Sequence, residues 1–195
     1  MDQNWTHAYF TFQTGTRTFD GIESLLGNVM ENFEEITSHP CGSFSDTNDT
    51  VCRNAFSDMA LVMSYSLLEG FFSVEHAFYI KGKRPDGLVN VIQDVFDWHD
   101  MKINDWTSKQ KEIDLVRKLR NAVVHNNGII SGSASRDDCE RFFGEDIFGG
   151  RSYPRLSLEV SIFLVRYFKR IASDYAEHVF MNLKPSGKQE IPTDA

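Results

Sequence analysis

Arg117, Asn121 and His125 recur every fourth residue, so at about 100° per residue they share one side of a helix. The residue types suit work on an anion. A histidine gives and takes protons near neutral pH. Arg120 offers a planar pair of donors to phosphate or carboxylate oxygens, and Asn121 can orient His125 or a phosphate oxygen. Arg120 lies about 140° around from His125, so the two heads do not meet by helical stacking alone. The spacing suits a site shared by two copies of the helix, where a twofold contact gathers two His and two Arg around one cleft. Arg120, Asn121 and His125 are therefore the candidate catalytic residues. Lys109, Lys111, Arg117, Lys118 and Arg120 place five of the chain's 20 basic residues within residues 109–120. In this cationic strip Arg117 and Lys118 are the candidate substrate-binding residues. The same residues also fit a solvated helix end, with His125 against the negative pole of the helix dipole. Glu69, set in an apolar segment, is a candidate partner for Arg120 or a neighbouring cation, and equally a plain structural Glu. His76, His99 and His178 fall on different segments without metal-like spacing, so no metal site and no cofactor are expected.

The elements that must position this strip read as helices. The set Ile22, Leu25, Leu26, Val29, Met30, Phe33 and Ile36 has spacings of three and four after Asp20, a candidate cap, and His39-Pro40 ends it. Residues 41–50 read as a loop. Residues 51–80 are apolar on most sides, as expected of a central helix or one at a subunit contact. The turn at residues 81–85 leads to a helix with Leu88, Val91, Ile92, Val95, Phe96 and Trp98 facing inward. Residues 107–126 form the helix of the cationic strip, closed by Asn126-Asn127-Gly128. Residues 129–156 read as a long loop with a short helix around Cys139 to Phe143. The last helix spans residues 157–183, with Val160, Phe163, Leu164, Tyr167, Phe168, Ile171, Tyr175, Val179 and Phe180 inward. Tyr9, Phe10 and Phe12 suggest a short strand or an irregular arm docked on the core. The sum is an all-α fold: a five-helix up-and-down bundle at 19–183, an N-terminal arm at 1–18 and a flexible tail at 184–195.

Composition bounds the partners. With 195 residues, 41% of them hydrophobic and 16 of them Phe, the chain can bury one sizeable core. The net charge of -8 disfavours generic tight binding to nucleic acid but allows a local basic surface. Cys41, Cys52 and Cys139 form neither a disulfide framework nor a zinc pattern. Residues 1–4 lack the start of a secretion signal, and no stretch reaches the ~20 apolar residues of a membrane span. A cytoplasmic protein that does not engage membranes is expected.

The run Leu119-Arg120-Asn121-Ala122-Val123-Val124-His125-Asn126-Asn127-Gly128 resembles the motif of the HEPN family: an Arg, a polar residue after it, and a His four to six positions beyond the Arg. Tyr65-Ser66-Leu67-Leu68-Glu69-Gly70-Phe71-Phe72 is similar to the early core helix of bacterial members with a Glu-Gly-aromatic run. The resemblance covers about residues 50 to 180. It implies a homodimeric helical bundle whose two motifs face one another and, in active members, cut RNA without a metal. Some members carry a Tyr two residues after the His; Asn127 stands there, so regulation by modification of that Tyr is not expected. Three classes follow: an endoribonuclease of toxin or phage-defence type, to which a cognate antitoxin is a natural partner; a non-catalytic HEPN domain binding a nucleotide, RNA or protein; and a helical dimerisation protein without ligand.

Overall fold

The computed structural model describes residues 2–32, 47–125, 136–151 and 154–183, with backbone only for residues 47–54. The described residues form seven helices: α1 (Gln3–Thr14), α2 (Arg17–Glu31), α3 (Thr47–Tyr79), α4 (Leu88–Trp98), α5 (Trp106–His125), α6 (Arg136–Phe143) and α7 (Leu158–Asn182). No strand occurs among them, so the all-α class holds. The closing run Asn126-Asn127-Gly128 and the tail 184–195 lie outside the described residues.

The expected N-terminal arm is instead a helix. The Asp2 side chain accepts from the Asn4 N–H and caps it. Trp5 and Ala8 turn inward, while Trp5, Tyr9 and Phe12 form an aromatic row against Phe180, with Phe12 stacked on Phe180 at 4.8 Å. Spacings of four and three are helical; intervening His, Thr and Gln hide that period. α2 begins three residues before Asp20, so Asp20 serves in the first turn and pairs with Lys169 instead of capping.

α3 is about 50 Å long at 1.5 Å per residue and is the central element. It packs against α7, α2, α4 and α5, and α7 in turn carries α1 and α2. Its inward face holds Leu61, Tyr65, Leu68, Phe72 and Tyr79; each large apolar side chain fully buried there contributes about 1.5–3 kcal/mol. The outer face keeps Met59, Met63 and Val74 exposed, so α3 is not enclosed on all sides. Trp98 and Phe163, expected inward, are 57% and 41% exposed. Phe163 meets the Phe142 ring of α6 at 5.6 Å, which covers it only in part.

The segment before α7 is tighter than a loose loop. Asp146 accepts from the Phe148 N–H, and Ile147 and Phe148 are buried. Ser157 then caps α7 by accepting from the Val160 N–H.

Candidate functional site

α5 presents the strip because its apolar residues fall on one stripe. Ile113, Leu115, Val116, Leu119 and Ala122 are buried against the core, which leaves Arg117, Lys118, Arg120 and Asn121 half-buried at its flanks and His125 exposed at the last position. Arg120 Nη1 donates to Asn121 Oδ1 at 3.0 Å. Arg120 Nε is buried without a hydrogen-bond partner among the described residues. No carboxylate pairs with this guanidinium among them. Asn121 thus braces Arg120 through its side-chain oxygen. No hydrogen bond joins the Arg120 and His125 heads among the described residues.

Arg117 and Lys118 are held differently. Asp114 accepts from Arg117 at 2.7 Å and meets Lys118 at 3.0 Å, one turn back on the same helix. Burial pushes the Asp114 carboxyl up, but the hydrogen bonds and charges of Arg117 and Lys118 outweigh it and hold the group below its ordinary range. Local pairing thus compensates part of the strip. Glu69 pairs with Arg84, from the turn after α3, at 3.0 Å, and does not hold Arg120. Both partners are about two-fifths exposed, and such surface pairs contribute about 0–1 kcal/mol.

Glu69 and Arg120 nevertheless act on a common neighbour. Tyr65 of α3 is 4% exposed. Its phenol is pushed up to about 12, first by burial and then by Glu69, while Arg117 and Arg120 oppose the shift. At physiological pH it is a neutral hydroxyl inside a ring of charges. Sequence reasoning counted Tyr65 only as apolar bulk; its place seven residues after Asp58 and four before Glu69 marks the polar edge of that face.

A second polar cluster was missed. Glu75, 2% exposed, accepts from His7 Nε2, the Thr11 hydroxyl and the Tyr175 hydroxyl, each at 3.0 Å. Burial, then the Glu75 charge, pushes the Tyr175 phenol strongly up. His99, edge-on to Tyr79 and Tyr175, is lowered to about 4, chiefly by burial; Glu75 opposes the shift and His178 adds to it. The cluster ties α1 to α3 and α7 with every Glu75 oxygen satisfied, which suits a clamp better than a reactive centre. The signal was legible: Leu68, Phe72, Glu75 and Tyr79 share one helical spacing, so Glu75 had to face inward. Cys139 is buried and its thiol is pushed up to about 11 by that burial, which removes it as a reactive group.

Among the described residues no three His, Cys, Asp or Glu side chains gather as a metal-binding group would, and no helix among them is long and apolar enough to cross a membrane. Comparison with known protein families, curated proteins and solved structures finds no match for this chain.

Proposed function

We propose that this chain is a HEPN-like domain acting as a metal-independent endoribonuclease of toxin or phage-defence type. The observation that carries the reading is the end of α5: a guanidinium without a carboxylate partner among the described residues, braced by Asn121, on the helix whose last residue is an exposed histidine. Those groups match the demands of RNA self-cleavage. The 2′-OH loses its proton to an imidazole as its oxygen attacks the adjacent phosphorus. The bond from phosphorus to the 5′-oxygen breaks, and that oxygen takes a proton from an acid. Products are a 2′,3′-cyclic phosphate and a 5′-OH end. Arg120 faces the charge that grows on the phosphoryl oxygens, and Arg117 and Lys118 hold flanking phosphates.

One chain keeps Arg120 and His125 apart, so the reading requires a homodimer in which two copies of α5 supply base, acid and guanidinium together. Val124, 44% exposed beside His125, and Met59 and Met63 on α3 give apolar surface for that contact. In this reading the five helices α2, α3, α4, α5 and α7 constitute the HEPN bundle, the protein works in the cytoplasm, and a cognate antitoxin covers the cleft.

The pairing of Arg117 and Lys118 with Asp114 favours a second reading, a non-catalytic HEPN domain that binds a nucleotide, RNA or protein. The two separate in one assay: labelled RNA with EDTA, comparing the wild type with His125→Ala and Arg120→Ala. Cleavage that survives EDTA and disappears in both variants supports the enzyme. Absence of cleavage across RNA pools, with binding retained, supports the second reading.

A further inference from the structure

A cleft of about 470 Å³ opens between the start of α4 and the flank of α5, one to two turns before the Arg120 motif. Residues 87–90 form one wall, and Lys111, Asp114 and Arg117 stand on the other, with Tyr65 also lining the cleft. α4 begins at Gly87, whose φ of 84° turns the chain sharply. No side chain caps the helix and no acidic residue stands in its first turn. The first helical bond is Val91 N–H to the Gly87 carbonyl. The N–H groups of Leu88, Val89 and Asn90 therefore have no partner among the described residues, and the positive end of the helix dipole faces the cleft. The Tyr65 side chain is 96% removed from solvent, being 4% exposed, and its hydroxyl pairs with no described residue. Tyr65 lines the cleft together with Arg117 and Asp114, whose charges act on its hydroxyl. Tyr65 thus brings to the cleft wall a hydroxyl donor that no described residue engages. Asp114 is the opposing charge, and Arg117 and Lys118 already engage it.

We infer that this cleft binds a phosphate group, held by the N–H groups of Leu88, Val89 and Asn90, the Tyr65 hydroxyl, and the cations of Lys111 and Arg117. The donors come from three elements, α3, α4 and α5, and supply only hydrogen bonds and positive charge, which is what a phosphate needs. The site stands whether or not the chain cuts RNA.

The test titrates inorganic phosphate into the full chain and follows backbone amide resonances. Saturable shifts at Leu88, Val89 and Asn90 are expected. Tyr65→Phe, which removes only the hydroxyl, weakens the affinity about tenfold. Asn90→Glu places a carboxylate at the third helical position, where it satisfies the helix end itself; it abolishes binding while the thermal midpoint stays or rises. Parallel titrations with a nucleoside 5′-monophosphate and a dinucleoside phosphodiester distinguish a terminal from a bridging phosphate, and saturation by either at these amides supports the site. Absence of saturable shifts with all three probes, or equal affinity in both variants, overturns it.

Discussion

Arg120 and Asn121 are neighbours on α5 joined by a 3.0 Å hydrogen bond from guanidinium to side-chain amide oxygen. A neutral oxygen braces the guanidinium without consuming its charge, which is the arrangement an anion-binding arginine requires. Asn121→Asp exchanges that brace for an ion pair. It is expected to weaken RNA binding about tenfold without lowering the thermal midpoint; fluorescence anisotropy and a melting curve measure both. Unchanged affinity would show that Arg120 does not meet the ligand.

Asp114 is the counterweight to Arg117 and Lys118. Asp114→Asn removes the carboxylate that holds Arg117, so RNA binding tightens and its dependence on log salt steepens by roughly 0.7, the share of one cation on a single strand. The carboxyl's folded value is lowered from 3.8, so its stabilising contribution is full above 3.8 and lost as pH falls through the lowered value. Melting curves of wild type and variant should therefore differ modestly at neutral pH and converge in acid. A difference that grows in acid contradicts the assignment.

His99 sets a second pH dependence, of the depressed-histidine kind. Its folded value of about 4 lies below the ordinary 6.5. Unfolded chains thus bind a proton that folded ones refuse, and stability falls as pH drops from 6.5 towards 4. His99→Phe keeps an aromatic ring against Tyr79 and Tyr175 and should flatten that part of the stability profile in denaturant titrations. A profile as steep as the wild type's assigns the acid loss elsewhere.

The α1 helix is a load on the core, held by Glu75. Tyr175→Phe removes one hydrogen bond to a buried carboxylate and should cost about 1.5–3 kcal/mol. Deleting residues 1–15 removes Trp5 and Ala8 together with two of the three Glu75 donors, His7 and Thr11. It should lower stability by more than the single substitution does. Chemical denaturation checks the order, and a truncated chain as stable as the full one would return α1 to the status of a loose arm.

Helices were legible wherever an apolar stripe ran unbroken. Leu88, Val91, Ile92, Val95 and Phe96 declared α4, and Ser157 declared the start of α7. α1 was hidden because its inward residues are few and separated by polar ones, so that only docking on Phe180 reveals their period. The positions of Arg120, Asn121 and His125 on one helix followed from spacing alone. What they touch did not: the choice of Asn121 over His125 by Arg120, of Asp114 by Arg117, and of Arg84 by Glu69 depends on rotamers and on turns between helices, which a pattern of residue types does not encode. Tyr65 was missed for a related reason, since its polar atom sits on a face that periodicity labels apolar, whereas the inward place of Glu75 could be read from its spacing with Leu68, Phe72 and Tyr79.

The most direct test of the central claim is cleavage of a labelled RNA by the purified protein in EDTA, with product ends identified and His125→Ala and Arg120→Ala run beside it. The account predicts 2′,3′-cyclic phosphate and 5′-OH ends from the wild type and a rate about 100-fold or more lower in each variant, with both variants folded. Cleavage that persists at the wild-type rate in either folded variant would contradict it.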